Sequence, residues 1–127
     1  MKYIPPPSAD DYDKQVWQIA RQVPYGEVAT YGQIADMISP PEGIKPQDYK
    51  AFSARWVGNA MAACPPDVPW QRVINSQGKI SQRPGAETQR SLLEEEGVVF
   101  TKDKINLTVY QWRSPGQEDE PRQGRLF

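Results

Sequence analysis

The sequence predicts one mostly α-helical α/β domain, with three helices and then small β elements in the order of a winged helix-turn-helix domain. Three observations carry that expectation. Apolar residues recur at helical spacing in two stretches, Val16 to Val23 and Ile34 to Ile38, and a third helical stretch runs up to Pro65-Pro66. The β-branched pair Val73-Ile74 then interrupts the rhythm ahead of a polar turn. Finally, two short apolar runs flank Lys102-Asp103-Lys104, as in a terminal hairpin. At 127 residues the chain suits a single modest core.

Residues 1–9 hold Pro5-Pro6-Pro7 and read as an extended lead-in. The first helix spans Asp10 to Gln22, with Val16, Ile19, Ala20 and Val23 at helical spacing and Trp17 beside them. Pro24-Tyr25-Gly26 ends it. After the short extended link Val28-Ala29, Thr30 is placed to cap a second helix carrying Ile34, Met37 and Ile38. Pro40, Pro41, Gly43 and Pro46 make residues 39–47 a loop. A third helix runs from about Tyr49 to Ala63, stopped by Pro65-Pro66. Val73 and Ile74 lead through the turn Asn75-Ser76-Gln77-Gly78 to a second β segment, Lys79-Ile80-Ser81. Thr88 to Glu96 forms a last helix, with Leu92 and Leu93 inward and Gly97 as its C-cap. Val98-Val99-Phe100 and Ile105-Asn106-Leu107 then pair as a hairpin. The domain so predicted covers residues 10–113. Residues 114–127, rich in Pro, Gly, Gln and charge, are expected to form a flexible tail.

Composition removes several function classes. With no histidine and a single cysteine, Cys64, there is no ligand set for a zinc site of the Cys/His kind and no internal disulfide. No run of about 18 apolar residues marks a membrane span, and no charged-then-apolar leader is present. A cytoplasmic, nucleoid-associated protein is expected. The net charge of −1 hides an uneven distribution. Between Lys50 and Arg83 the basic residues Lys50, Arg55, Arg72, Lys79 and Arg83 face Asp67 alone, an excess of +4 that leaves −5 for the rest. Phosphate binding follows local field rather than total charge. An ordinarily mixed surface is the alternative.

One stretch carries the functional inference. Val68-Pro69-Trp70-Gln71-Arg72-Val73-Ile74-Asn75-Ser76-Gln77-Gly78-Lys79-Ile80-Ser81 resembles the active-site segment of the O6-alkylguanine-DNA alkyltransferases, whose motif is Pro-Cys-His-Arg-Val. Trp70 stands at the cysteine position and Gln71 at the histidine position. A tryptophan there resembles the alkyltransferase-like proteins, which usually read Pro-Trp-His-Arg-Val. The resemblance runs from about Val16 to Trp112. It passes through Pro24-Tyr25-Gly26-Glu27-Val28, Thr30-Tyr31-Gly32-Gln33-Ile34-Ala35, Ala54-Arg55-Trp56-Val57-Gly58-Asn59-Ala60-Met61 and Leu93-Glu94-Glu95-Glu96-Gly97-Val98. It implies a winged helix-turn-helix domain of the alkyltransferase C-terminal type, monomeric, with no cofactor and no metal. The implied function is that of a non-enzymatic DNA damage sensor. It would bind the minor groove of double-stranded DNA, flip O6-alkylguanine into a pocket and flag it for nucleotide excision repair proteins.

The residues themselves argue against repair chemistry. Dealkylation needs a thiolate, generated by a neighbouring base or positive charge. The chain offers no histidine, Glu96 has nothing to relay to, and indole is a poor nucleophile at neutral pH. No catalytic residue is therefore expected. Cys64, at the end of the third helix beside Pro65, shows no activator and reads better as a small buried apolar residue.

By resemblance, the third helix enters the minor groove. Ala54 and Gly58, with Ala51 and Ala60 near them, would let its axis approach the duplex; read alone, these small residues suit close helix–helix packing. Arg55 matches an intercalating finger that fills the stack vacated by the flipped base, where a solvated arginine is the plainer reading. Tyr31 matches a tyrosine that crowds the target phosphate, against a core tyrosine with a tethered hydroxyl. Trp70 would supply a stacking wall, worth roughly 1–3 kcal/mol per base. Arg83 would lie over the damaged base in a cation–π contact worth about 0.5–2 kcal/mol. A core tryptophan and a loop charge are their alternatives. Arg72 and Asn75 are expected to brace the pocket, and Ser81 belongs to the loop that closes over the base.

Gln71 departs from the histidine most relatives keep; its amide makes hydrogen bonds but serves as neither acid nor base. The Ser39–Lys50 loop is longer than in compact relatives. Outside the resemblance, Gln123-Gly124-Arg125-Leu126-Phe127 fits the Gln-x-x-Leu-Phe pattern of peptides that dock on the bacterial sliding clamp. A frayed terminus is the alternative. Two other functions stay open: an active alkyltransferase using Cys64, and a winged-helix regulator or repair adaptor indifferent to damage.

Overall fold

The computed structural model describes residues 4–113. Helix α1 (Ala9–Ala20) carries Asp10 and Asp11 in its first turn, where carboxylates favour the positive end of the helix dipole. Tyr12, Val16, Ile19 and Ala20 recur at helical spacing and are buried. A short strand, β1 (Ala29–Thr30), leads directly into α2 (Tyr31–Asp36). Thr30 caps α2 as expected. Its Oγ1 accepts from the Gln33 amide N–H while Gln33 Oε1 accepts from the Thr30 N–H, a reciprocal capping box.

Helix α3 (Pro46–Ala62) begins earlier than the expected Tyr49. Pro46 sits in its first turn, where the missing N–H costs nothing and the fixed φ suits the helix. The loop expected over residues 39–50 therefore ends at Lys45. Tyr49, Ser53, Trp56, Val57, Ala60 and Met61 face inward. Ala60 is thus no part of an outward small-residue surface; it is buried, and its carbonyl accepts from Trp17 Nε1 at 2.9 Å. Tyr12, Tyr49 and Trp56 meet edge-to-face at the centre of the core, with centroids 5.3 to 6.3 Å apart. Tyr49 Oη donates to the Ala35 carbonyl at 2.7 Å, so the 2.9 Å bond between the phenols runs from Tyr12 to Tyr49. Burial pushes the pKa of both phenols above the ordinary tyrosine value. Trp56 Nε1 donates to the Ile4 carbonyl at 2.8 Å, which ties the lead-in to the core.

A 3₁₀ turn, Trp70–Arg72, precedes β2 (Val73–Ile74). Strand β2 pairs in parallel with β1, Ala29 opposite Val73 and Thr30 opposite Ile74. The expected β segment Lys79-Ile80-Ser81 does not form. Both residues of β2 are fully buried, so the strand takes its ladder from the equally buried β1 inside the domain. The turn after it does form: Asn75 Oδ1 accepts from the Gln77 and Lys79 N–H groups, each at 3.0 Å. Gly78 takes φ +78°, and a Cβ there would lie 2.6 Å from the Ile105 carbonyl oxygen. Gly78→Ala is therefore expected to destabilise the domain by about 2–5 kcal/mol in urea denaturation. The left-handed backbone contributes about 1–2 of this and the overpacked contact about 1–3.

Helix α4 (Ala86–Glu95) starts from Gly85, ahead of the expected Thr88. It stops at Gly97 as expected: Gly97 has φ +91°, and the Val98 N–H returns to the Leu93 carbonyl at 3.0 Å. Leu93 is buried, and Gln89 rather than Leu92 is its fully buried companion. Strands β3 (Phe100–Thr101) and β4 (Lys104–Ile105) form the wing hairpin. Lys102 and Asp103 both take positive φ, 53° and 65°, which makes the two-residue turn that matches strand twist. Leu107 lies outside the hairpin because the Asn106 side chain accepts from the Thr108 N–H and caps a short helix, α5 (Leu107–Tyr110). Val28, Ile74, Leu93, Val98 and Ile105 form a second cluster that packs β2 against α4 and the wing. The tail expected over residues 114–127, with Gln123, Leu126 and Phe127, lies outside the described residues. No described helix is long and apolar enough to cross a membrane.

Candidate nucleic-acid interface

Helix α3 has an outer face as regular as its inner one. Ala51, Ala54, Arg55, Gly58, Asn59 and Ala62 recur at spacings of three and four, opposite the buried set. Ala51, Ala54 and Ala62 are exposed, so no described helix packs on them. Gly58 abuts the Tyr31 ring, yet a Cβ there would meet Tyr31 Cε2 at a comfortable 3.9 Å. Packing within the domain does not explain the small side chains on this face.

Two adjoining cavities open beside it. The first, of 340 Å³, is walled by Tyr31, Arg55, Gly58 and Ser81, with Ala54 and Asn59 beside them. The second, of 550 Å³, lies past the end of α3 and is walled by Met61, Cys64, Pro65, Trp70 and Pro84. Ala62 and Arg83 belong to both. Arg83 Nη2 donates to the Tyr31 hydroxyl at 3.2 Å, and that hydroxyl lies 3.3 Å from Ser81 Oγ. Of the residues singled out in the sequence, Tyr31, Ala54, Arg55, Gly58, Ser81 and Arg83 meet at the first cavity, and Trp70 and Arg83 at the second.

Arg72 and Asn75 line neither cavity: Arg72 ties the Trp70–Arg72 turn to Glu96 and Val23, and Asn75 holds the turn after β2. Trp70 is presented by the 3₁₀ turn, which hangs from Glu96. Gln71 Nε2 donates to Glu96 Oε2 at 2.8 Å, and Arg72 Nε donates to both carboxylate oxygens at 3.0 and 3.2 Å. The Gly26 N–H reaches Glu96 Oε1 at 2.8 Å, and Arg72 Nη1 donates to the Val23 carbonyl at 2.9 Å. The Glu96 side chain is 6% exposed. Burial alone would raise its pKa, but Arg72, Gly26 and Gln71 together hold it below the ordinary glutamate value. Read in sequence alone, Glu96 had nothing to relay to; in the fold it is the anchor of the turn. Gln71 gives it an amide, so the pair transfers no proton.

Cys64 also departs from its expected place. It is half-buried, packed against the main core on one side and walling the second cavity on the other. Burial pushes the thiol pKa up, and the positive charges of Arg83 and Arg21 do not reverse the shift. It therefore stays a thiol at neutral pH. Asp67, the sole acid between Lys50 and Arg83, is paired with Arg21 at 2.9 Å, which leaves the basic excess of that segment less opposed. Nothing in the sequence marks Met61, Pro65 and Pro84 as wall residues; there Pro65-Pro66 reads only as a helix stop. Gln89 was also missed. Its buried Nε2 donates to the Gln71 and Val73 carbonyls at 3.2 and 3.0 Å, fixing the turn from behind. Its place one helical turn before Leu93 was the available signal.

Residues 11–98 match the family model described as the DNA-binding domain of 6-O-methylguanine DNA methyltransferase. The chain is 39% identical over 114 residues to alkyltransferase-like protein 1 of Schizosaccharomyces pombe, covering 82% of this chain and 96% of that one. It is 38% identical over 108 residues to the DNA base-flipping protein of Vibrio parahaemolyticus, covering 82% and 98%. Among solved structures, S. pombe Atl1 in complex with damaged DNA containing O6-carboxymethylguanine superposes with a TM-score of 0.68 at 38% identity, covering 83% and 97%. The chain belongs to the family of the 6-O-methylguanine DNA methyltransferase DNA-binding domain, as an alkyltransferase-like member.

Proposed function

We propose that the protein is a non-enzymatic sensor of O6-alkylguanine in double-stranded DNA. The observation that carries this reading is the pair of cavities joined by Arg83 on the uncovered face of α3, with Trp70 where the family's repair motif has cysteine. The names of its relatives, an alkyltransferase-like protein and a DNA base-flipping protein, support it. In this reading α3 lies in the minor groove with Ala54 and Gly58 against the duplex. Tyr31 crowds the target phosphate, Arg55 fills the vacated stack, and Ser81 closes over the base. The base then stands between Trp70 and Arg83, with Arg72 and Asn75 bracing the pocket from behind. Extrusion costs a few kcal/mol, which stacking on Trp70 and insertion of Arg55 offset. With no proton relay at residues 71 and 96, the bound lesion stays intact and its product is a signal to nucleotide excision repair proteins. Residues 123–127 extend the reading to a sliding clamp; a peptide of residues 114–127 that fails to bind a clamp while a known clamp peptide binds would remove that part.

The test is a paired binding measurement on O6-methylguanine and unmodified duplexes. Tighter binding of the lesion is expected, with both affinities falling as salt rises. Arg55→Ala should weaken both. Equal affinity for the two duplexes would favour the damage-indifferent regulator. A second reading, alkyl transfer to Cys64, draws on the thiol's place in the cavity wall. Intact-protein mass spectrometry after incubation with methylated DNA separates the two: an unchanged mass is expected, and gain of an alkyl group would establish transfer.

A further inference from the structure

We infer that the Tyr31 hydroxyl is a positioning group for Arg83, so that lesion preference on the base side of the site depends on a residue of its other cavity; this rests on the sensor reading above. Among the described residues only two belong to both cavities, and Ala62 contributes no more than a methyl group. Arg83 is therefore the polar link between them. It sits on an irregular segment between the Asn75–Gly78 turn and α4, followed by Pro84 and by Gly85 at φ +95°. Neither a helix nor a strand fixes its side chain there. Among the described residues no carboxylate pairs with it, and the Tyr31 hydroxyl oxygen is the acceptor its guanidinium meets, at 3.2 Å.

The chemistry gives this contact a direction. A guanidinium only donates, so Tyr31 accepts from Arg83 and keeps its own proton for Ser81 Oγ, 3.3 Å away. The chain of donors runs Arg83 to Tyr31 to Ser81, from the second cavity into the first. Tyr31 itself is fixed as the first residue of α2, directly after the Thr30–Gln33 capping box. A side chain with a long flexible stem is thus held at the wall it shares with Trp70 by a ring anchored at a capped helix start. Phenylalanine at position 31 keeps the ring and its crowding but removes the acceptor.

The experiment is a double-mutant cycle read as the ratio of affinities for O6-methylguanine and unmodified duplexes. Tyr31→Phe is expected to lower that ratio by about 3- to 10-fold, the scale of one net hydrogen bond. In an Arg83→Ala background the same substitution should leave the ratio unchanged. Ser81→Ala, which keeps Tyr31 but shortens the chain, should produce a smaller loss that also vanishes without Arg83. An equal loss in both backgrounds overturns the proposal, because the hydroxyl would then act on DNA directly. A ratio that is unaltered or raised by Tyr31→Phe overturns it as well, and leaves the sensor reading standing. Equal binding of the two duplexes by the unsubstituted protein removes the sensor reading and this proposal together. Thermal melts of each variant exclude loss of fold as the source of a changed ratio.

Discussion

Glu96→Ala is expected to destabilise the domain by about 3–5 kcal/mol in urea denaturation at neutral pH, the usual cost of stranding one member of a buried ion pair. The Arg72 side chain is 17% exposed, and without Glu96 the Val23 carbonyl is the hydrogen-bond acceptor left to it among the described residues. The Gly26 N–H and the Gln71 amide lose their acceptor in the same step. Removing both charges in Arg72→Leu/Glu96→Leu should recover part of the loss, since no charge is then left without a partner. Glu96→Gln should fall between, because it keeps one acceptor oxygen. The pH dependence has a definite sign. Glu96 is held below its ordinary value in the fold, so its contribution is full above the unfolded glutamate pKa of roughly 4.3. It is lost as pH falls from there through the folded value. A Glu96→Gln variant should therefore show a flatter acid limb than the parent, and identical limbs would contradict the pairing.

The helical half of the fold was legible because each helix states its inner face locally. Val16, Ile19 and Ala20 give α1, and Thr30 gives the cap of α2, within a few residues of chain; the reciprocal part of Gln33 emerges only in the fold. What local pattern does not contain is pairing. Val73-Ile74 reads as a strand, but its partner is the two-residue strand Ala29-Thr30 far upstream, and the nearer candidate at Lys79 loses to it. Proline misled in a different way: Pro46 was read as loop because proline breaks helices, yet at a first helical turn it begins one. At the site, Tyr31, Arg55, Trp70 and Arg83 were legible through a motif that spans the chain. Their grouping into two cavities sharing Arg83 was not, since it depends on how an irregular loop lies against α2 and α3. Cys64 shows the same limit: two residues beyond the helix end, local pattern does not say that the thiol packs on the core while also walling a cavity. The role of Glu96 changed most, from a carboxylate without a task to the point from which the Trp70–Arg72 turn is suspended.

Trp70→Ala is expected to lower affinity for an O6-alkylguanine duplex by about 1–3 kcal/mol, roughly 5- to 150-fold, with a much smaller effect on unmodified DNA. The indole is half-buried, packed on the main core along one side and open to the second cavity on the other. Its removal leaves the Arg83 guanidinium as the one planar group of the wall, among aliphatic groups and a thiol, so a base would keep one stacking partner instead of two. Because the ring also packs on the core, fluorescence melts must establish that the variant is folded at the binding temperature. Trp70→Phe, which keeps a smaller face, should give an intermediate affinity. If alanine and phenylalanine bind the lesion as tightly as the parent, Trp70 is a core residue that happens to border a cavity. Trp70→Cys supplies the sharper test of the proposal that the site holds a lesion without repairing it. It restores the sulfur of the family motif but leaves the Gln71 amide, which is already committed to Glu96 at 2.8 Å and takes up no proton. Such a variant should bind as weakly as Trp70→Ala and show no added alkyl group by mass spectrometry. Alkylation of that cysteine would mean that the fold activates a thiol without a base, and the loss of repair would then rest on residue 70 alone.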